Sequence, residues 1–159
     1  MPRLEYRYKS VIIPIIKNKY VVVEDSKYNE LTFVVGGCKK YETSLKCAIR
    51  ELNEETRNVF GKYITEYDLK MHHQFESSQR SKQELAADKR QKIIVRMIYT
   101  VYIVDLNDVI NNFNSIRNNY HRTRSINKET SDILLRTKEQ LQTGNMWRFM
   151  KENVLNTLS

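Results

Sequence analysis

The sequence predicts a single α/β domain, and three observations support this prediction. Several short runs alternate between apolar and polar residues, as half-buried strands do. Two other runs carry apolar residues at steps of three and four, as amphipathic helices do. The chain has 159 residues, of which 40% are hydrophobic, so it can bury one sizeable core and hardly two. No repeat, low-complexity linker or change in composition marks a second domain.

Five strands are predicted, at 10–16, 20–24, 32–35, 69–75 and 92–104. The last has the clearest pattern, because apolar residues occupy every second position. These residues are Ile93, Val95, Met97, Tyr99, Val101 and Ile103. Such alternation is typical of a strand that packs on one side.

Two helices are predicted. The first begins near Thr43, and its apolar stripe consists of Leu45, Ala48, Ile49 and Leu52. The second begins at about position 138, although Gly144 weakens its start. Its apolar stripe consists of Met146, Met150, Val154 and Leu158. We interpret the second stripe as core packing and not as a cofactor site.

Three carboxylates lie together on the first helix. At roughly 100° per residue, Glu51, Glu54 and Glu55 fall within an arc of about 100° beside the apolar stripe. Glutamates in this pattern often form only a solvated helix face. Here, however, they follow a Gly-Gly turn and a short apolar strand, where the backbone could approach a phosphate or a metal ion. A hard divalent cation would compensate three clustered anions, which predicts metal-assisted phosphate chemistry.

The spacing of seven residues in this region resembles the Nudix box, the signature of the Nudix hydrolase superfamily. The residues are Gly36, Glu42, Arg50, Glu51, Leu52, Glu54 and Glu55. The resemblance implies the Nudix fold, a mixed sheet held between helices. It also implies that the chain binds Mg²⁺ or Mn²⁺ and cleaves the pyrophosphate link of a nucleoside diphosphate joined to another group.

The resemblance also implies roles for individual residues. Glu51, Glu54 and Glu55 would be metal ligands, and Glu42 would pair with Arg50 to hold the loop against the helix. A backbone carbonyl, that of Gly36 or of its neighbour Val35, would also bind the metal.

A further carboxylate could complete the catalytic set. Either Glu51 or a carboxylate outside the box would orient or deprotonate the attacking water. Glu129 precedes the apolar run 133–135, in a position similar to a late Nudix loop that often supplies an extra carboxylate. Glu76 and Glu84 flank the segment between two predicted strands and are alternatives to Glu129.

The chain departs from the Nudix pattern in two places. Arg57 replaces the glycine that usually follows the paired glutamates, so the helix is predicted to continue toward Gly61. The proline that usually precedes the glycines is also absent. The catalytic set is unaffected by either change.

The charge of the chain points to a polyanionic substrate. Its formal net charge is +8 and its isoelectric point is about 9.4. Basic residues cluster at 80–92 and at 117–124, and the second cluster also contains Tyr120. Either cluster could hold phosphate or could be ordinary solvated surface. The residues predicted to bind substrate are Lys39, Lys40, Arg90, Lys92, Arg122 and Arg124.

The remaining features suggest a soluble cytoplasmic protein. Cys38 and Cys47 form neither a disulfide framework nor a zinc-binding pattern, so free thiols in a reducing compartment are expected. The apolar run 11–16 is too short to cross a bilayer, and no membrane partner is expected. The oligomeric state is not indicated.

Three functions remain at this point. The first is hydrolysis of a phosphorylated nucleotide substrate at the 5′ cap of mRNA, which is decapping. The second is hydrolysis of small polyphosphates, such as dinucleoside polyphosphates or diphosphoinositol polyphosphates. The third is a non-catalytic RNA-binding module, against which the complete glutamate set argues.

Overall fold

The computed structural model describes residues 2–77, 82–124 and 128–159, with the backbone alone at 82 and 83. The described residues form one mixed sheet and five α-helices. The strands are β1 (Arg3–Ile16), β2 (Lys19–Asp25), β3 (Leu31–Thr32), β4 (Val34–Gly37), β5 (Lys70–Ser77), β6 (Ile93–Asp105) and β7 (Thr130–Arg136). The helices are α1 (Ser44–Glu55), α2 (Lys82–Arg90), α3 (Phe113–Arg122), α4 (Lys138–Thr143) and α5 (Arg148–Asn153).

Strand β1 organises the sheet. It pairs in parallel with β6 over most of its length and antiparallel with β2 and β4. The order along the sheet is β3, β2, β1, β6 and β5, while β7 pairs with β2. The start of β7 is thereby placed beside the end of α1, where Thr130 donates to the Glu55 carbonyl.

Each face of the sheet carries its own hydrophobic core. Helices α1 and α3 cover one face, where Leu52, Phe60 and Tyr120 are buried. Helices α4 and α5 cover the other face, where Leu141, Phe149 and Met150 are buried or nearly so. The predicted architecture of a mixed sheet between helices is therefore confirmed.

The predicted elements are partly correct. All five predicted strands are present. Strand β1 begins at Arg3, earlier than predicted. Strand β7 and helices α2 and α3 were not predicted. Their sequences are short or polar, and α2 has only a weak apolar stripe.

For the C-terminal region, the predicted core packing is correct, but the predicted single helix is wrong. Met146, Met150, Val154 and Leu158 are all buried in the core, as predicted. They do not belong to one helix, because the chain breaks at Gly144 into α4, α5 and a final 3₁₀ turn. Glycine favours such a break since it lacks a side chain that would stabilise the helix.

Helix α1 ends at Glu55, so the predicted continuation toward Gly61 is wrong. Arg57 and Asn58 both adopt the left-handed conformation, with φ of 54° and 60°. This is the conformation that a glycine provides most easily, which accounts for the usual glycine at the position of Arg57. The Arg57 guanidinium lies 4.0 Å from the centre of the Tyr120 ring, and it donates to the Tyr120 carbonyl at 3.1 Å. These contacts with α3 offset the cost of the conformation.

Across the described ranges, each helix is too short or too polar to span a lipid bilayer.

Candidate functional site

The site is built on the turn from β4 into α1. Thr43 caps the helix, since its side chain accepts a hydrogen bond from the Lys46 amide at 3.2 Å. Gly36 lies directly against Glu51, and a Cβ atom at that position would overlap the Glu51 carboxylate. Gly36 is therefore required so that the strand can approach the helix at this point.

Arg50 holds the loop against the helix. Its guanidinium donates to both carboxylate oxygens of Glu42, at 2.8 and 2.9 Å, in a bidentate pair. It also donates to the Gly37 carbonyl at 2.9 Å. Glu42 in turn accepts from the Lys39 amide at 3.0 Å. The structure thus places Glu42 and Arg50 in the pair that the box implies.

The same guanidinium reaches two of the helix carboxylates. It donates to Glu51 at 2.9 Å and to Glu54 at 3.2 Å. The hydrogen bonds from Arg50 lower the pKa of Glu42 to about 2, and they are also the main reason that the pKa of Arg50 is raised. Glu42 is therefore an anion across the physiological range.

Glu55 has no comparable cation beside it among the described residues. It is 6% exposed, and its Oε2 atom is buried without a hydrogen-bond partner. Burial raises the pKa of Glu55 well above its usual value, and the nearby carboxylates of Glu51 and Glu129 raise it further. Burial also raises the pKa of Glu51, although its contact with Arg50 opposes that shift.

Two hydrogen bonds to backbone carbonyls fix the start of β7 and hold Glu129 near this cluster. The Thr130 hydroxyl donates to the Glu55 carbonyl at 2.8 Å and thereby ties β7 to the end of α1. The Ser26 amide donates to the Glu129 carbonyl at 2.9 Å. As a result, Glu129 is close enough to Glu51 and Glu55 to affect the pKa of both.

A cavity of about 620 Å³ opens beside Glu55, a volume within the range of small-molecule sites. Carboxylates dominate its charge, and Lys9 is the basic residue among the described residues that line it. The charged lining residues are Lys9, Asp25, Glu30, Glu55, Glu84 and Glu129. Of the two alternatives to Glu129, Glu84 lines the cavity, whereas Glu76 is on β5 and pairs with Arg96 at 3.5 Å.

The cavity also has aromatic walls that the sequence did not reveal. Tyr28, Tyr99 and Trp147 line it, from three segments far apart in the chain. Burial, and next the charge of Glu84, raise the pKa of Tyr99 to about 12. No local pattern connects these three residues, so sequence alone gave no signal for them.

The residues present fit a divalent cation. Oxygen ligands suit Mg²⁺ and Mn²⁺, and Glu51, Glu55 and Glu129 supply them close together, whereas Glu54 lines a separate pocket beside Lys46 and Arg50. The partnerless Oε2 of Glu55 is the strongest indication, because a buried carboxylate oxygen without a donor is costly unless a cation binds it.

The predicted basic residues lie in three places. Lys39 and Lys40 are on the loop before α1 and line a second groove, described below. Arg90 and Lys92 are exposed at the end of α2, and Arg122 and Arg124 are exposed at the end of α3. These last four are outside the cavity lining. Arg80, from the same predicted cluster, is outside the described residues.

The prediction of free thiols is wrong. Cys38 and Cys47 form a disulfide bond, with their Cα atoms 5.2 Å apart. The loop of Cys38 folds back over the first turn of α1, where Cys47 is buried. The nine-residue spacing in the sequence did not reveal this because it depends on the path of the loop.

Comparison with known proteins identifies the fold. No protein-family model and no curated protein sequence matches the chain. Among solved structures, the chain is similar to a MutT/nudix family protein from Enterococcus faecalis, with 11% identity and a TM-score of 0.54. The match covers 82% of this chain and 43% of that chain, so this chain spans less than half of that protein.

Two further structures match over nearly the whole chain. One is the NUDIX domain of NrtR from Shewanella oneidensis in complex with ADP ribose, with 9% identity and a TM-score of 0.59. The match covers 99% of this chain and 86% of that chain. The other is a binary complex of an Ap4A hydrolase from C. elegans, with 15% identity and a TM-score of 0.55. The match covers 96% of this chain and 93% of that chain. The predicted resemblance is confirmed at the level of architecture: the chain has the Nudix fold.

Proposed function

We propose that the protein is a divalent-metal-dependent Nudix hydrolase that cleaves a phosphoanhydride bond. The observation that carries this proposal is the buried Glu55 with its partnerless oxygen, next to Glu51 and Glu129. Among the described residues Arg50 binds Glu51, but no cation lies beside Glu55, and carboxylates this close together are costly without one. The intact carboxylate set also argues against a non-catalytic RNA-binding module.

Glu51, Glu54 and Glu55 would hold the cation, which is Mg²⁺ or Mn²⁺. The backbone of Val35 would contribute as well, because Val35 lines the cavity and Gly36 does not. When bound, such a cation neutralises phosphate charge and lowers the pKa of its bound water. The acidic cavity would otherwise repel a phosphate chain, so the metal explains how an anionic substrate enters.

Glu129 is our candidate for the residue that takes the proton from the attacking water. It lines the cavity, whereas Glu51 is already bound to Arg50 and packs behind Gly36. A general base must reach the water from the cavity side, which Glu129 satisfies. Glu84 also lines the cavity and is the alternative.

The leading substrate is the 5′ cap of RNA. The cavity has room for one nucleotide, with Tyr28, Tyr99 and Trp147 as aromatic walls for a base or ribose. The excess positive charge of the chain suits a long polyanion beyond the cavity. Lys39, Lys40, Arg90, Lys92, Arg122 and Arg124 are the proposed contacts with phosphate, and Lys39 and Lys40 are on the loop of the box itself.

A small polyphosphate is the second candidate. The similar C. elegans structure is that of an Ap4A hydrolase, and the NrtR domain binds ADP ribose. A cavity of nucleotide size is also sufficient for such a compound.

The test compares substrates under one condition. Cap-labelled RNA, diadenosine polyphosphate and diphosphoinositol polyphosphate are incubated with Mg²⁺ or Mn²⁺, and products are separated by chromatography. The Glu54→Gln, Glu55→Gln double variant is the negative control, and Glu152→Gln on α5 is the matched control for amide substitution. Decapping is supported if the wild type and Glu152→Gln release a cap nucleotide and the double variant does not. Cleavage of the small compounds only would favour the second candidate, and no hydrolysis at all would refute both.

A further inference from the structure

The first half of β1 extends beyond helix α1 and leaves one sheet face open. Leu4, Tyr6 and Tyr8 are each about half exposed there. They alternate along the strand with the same period as Ser10 and Ile12, which are buried under α1. The same face of the sheet is therefore core at one end of β1 and exposed at the other.

The neighbouring strand continues this open face. In the parallel register, Ile94 lies beside Leu4, and Arg96 lies beside Tyr6. Ile94 and Arg96 are exposed as well. Exposed aromatic and apolar side chains on adjacent strands are uncommon in a protein that has no use for them.

A groove follows the edge of β1 at this point. Strand β4 pairs with β1 only from Lys9 onward, and the loop that carries Lys39, Lys40 and Tyr41 stands opposite the earlier residues. The groove has a volume of about 900 Å³. We call it the β1 groove; the lining residues used here are Tyr6, Tyr8, Lys9, Lys39, Lys40 and Tyr41.

The charge of the β1 groove favours an anion. Its lining includes five basic residues and three carboxylates among the described residues. Two of those carboxylates are already paired, Glu42 with Arg50 and Glu5 with Arg3 and Arg7. Lys39 and Lys40 therefore add positive charge beside the exposed rings of Tyr41, Tyr6 and Tyr8.

The β1 groove adjoins the catalytic cavity. Lys9 and Glu84 line both, so the two meet at these residues. The cavity holds the acidic, metal-binding part of this surface, and the groove holds the basic and aromatic part.

We propose that the β1 groove binds single-stranded RNA next to the nucleotide in the catalytic cavity. Exposed tyrosines provide stacking surfaces for unpaired bases, and interspersed lysines contact the phosphates. The alternation of rings and cations fits a polynucleotide better than an extended peptide, which would use the strand edge mainly through its backbone. This inference rests on the proposed function for the choice of RNA as the polymer.

The experiment measures binding of an RNA of about 12 nucleotides with a 5′-hydroxyl end, a length within the site sizes of single-strand-binding domains. Fluorescence anisotropy compares the wild type with the Tyr6→Ala, Tyr8→Ala double variant. We expect the dissociation constant to rise at least about tenfold, because loss of base stacking has effects of this order. The Tyr6→Phe, Tyr8→Phe double variant keeps both rings and should retain binding. Tyr67→Ala is the matched control, because Tyr67 is highly exposed and lies outside the lining of the β1 groove.

Hydrolysis of diadenosine polyphosphate, measured in parallel, should be unchanged in the Tyr6→Ala, Tyr8→Ala variant. Equal RNA binding by the wild type and this variant would overturn the proposal. The proposal would also be overturned if the wild type bound no RNA but formed a dimer, detected by light scattering, that the variant did not form. The probe has no phosphoanhydride, so a wild type that binds it but hydrolyses nothing would refute the proposed function and still support the groove.

Discussion

The two sides of the carboxylate cluster differ in how their charge is compensated. On one side, Arg50 binds Glu42 in a bidentate pair and holds its pKa near 2. On the other side, Glu55 is buried beside Glu51 and Glu129, and its pKa is raised well above the usual value. Apart from Glu129, both sides belong to the same loop and helix. The first is a finished structural contact, and in the proposed function a cation would complete the second.

This difference separates stability from activity in one short segment. Residues that Arg50 compensates should contribute to folding, because their charges are satisfied in the protein itself. Residues around Glu55 should contribute little to folding or should even oppose it when no metal is bound, since a buried carboxylate with an oxygen that lacks a donor is costly. The following predictions test this separation, from the largest expected effect to the smallest.

Replacement of Glu54 and Glu55 by Gln should abolish most of the hydrolysis. We expect kcat/KM to fall by about 10³-fold or more, which corresponds to several kcal/mol of transition-state stabilisation. The substitution removes charge and little volume, so metal-free melting should stay the same or rise. Steady-state kinetics and thermal unfolding check the two parts. Wild-type turnover in the variant would contradict the assignment.

Replacement of Glu129 by Gln should lower kcat by about 10²-fold, as expected for loss of a general base. The parallel variant Glu84→Gln lines the same cavity and should lose less than tenfold. The comparison of the two kcat values, with their pH profiles, distinguishes the candidates. A larger loss in Glu84→Gln would transfer the role to Glu84.

Replacement of Arg50 by Ala should reduce both stability and activity. It removes hydrogen bonds to three carboxylates and to the Gly37 carbonyl. We expect a loss of about 1.5–3 kcal/mol in the free energy of unfolding, measured by urea titration. Arg50→Lys keeps the charge without the bidentate geometry, so its free energy of unfolding should lie between those of the wild type and Arg50→Ala. An unchanged midpoint in Arg50→Ala would mean that the pair does not stabilise the fold.

Reduction of the Cys38–Cys47 disulfide should destabilise the loop side of the site. The bond closes a short loop, and its loss should cost about 2–3 kcal/mol. Thermal unfolding with and without reductant measures this, and the Cys38→Ser, Cys47→Ser variant is the control that should not respond. Equal stability of the oxidised and reduced protein would show that the loop is held by Arg50 alone.

The metal-free protein should become more stable as pH is lowered through the raised pKa of Glu55 toward its unfolded value. The pKa of Glu55 is raised on folding, so its contribution to stability is fully present below the unfolded pKa of about 4.5 and is lost as pH rises through the folded pKa. Glu42 acts in the opposite sense, but only as pH falls from its unfolded pKa toward 2. Glu55→Gln should flatten the profile, with a smaller slope left from Glu51. A profile equal to that of the wild type would place the titration elsewhere.

The sequence predicted the parts of the site that are local. Glu51, Glu54 and Glu55 share one helix turn, and Glu42 and Arg50 are eight residues apart, so their proximity follows from helix and loop geometry. Glu129 could be placed near them only through the resemblance, because its position depends on the Thr130 contact with the end of α1. Trp147 and Tyr28 could not be predicted, since tertiary packing alone brings them to the cavity.

The same distinction applies to the fold. Strand β6 was predicted because its apolar residues alternate over its whole length. The first half of β1 also alternates apolar and charged residues, from Leu4 to Lys9, but it was not predicted; its apolar side chains are half exposed and belong to neither core. The end of α1 was misplaced because the left-handed conformation of Arg57 depends on its contact with Tyr120, in a helix far along the chain.

The most direct test of the central claim is Mn²⁺ binding to the metal-free protein, measured by electron paramagnetic resonance. The wild type should bind Mn²⁺ at neutral pH, and Glu152→Gln should bind it equally. Glu55→Gln should weaken binding at least about tenfold, because it removes the charge of a buried carboxylate whose Oε2 has no other partner among the described residues. Equal Mn²⁺ affinity in the wild type and Glu55→Gln would contradict the claim that this side of the cluster is completed by a cation.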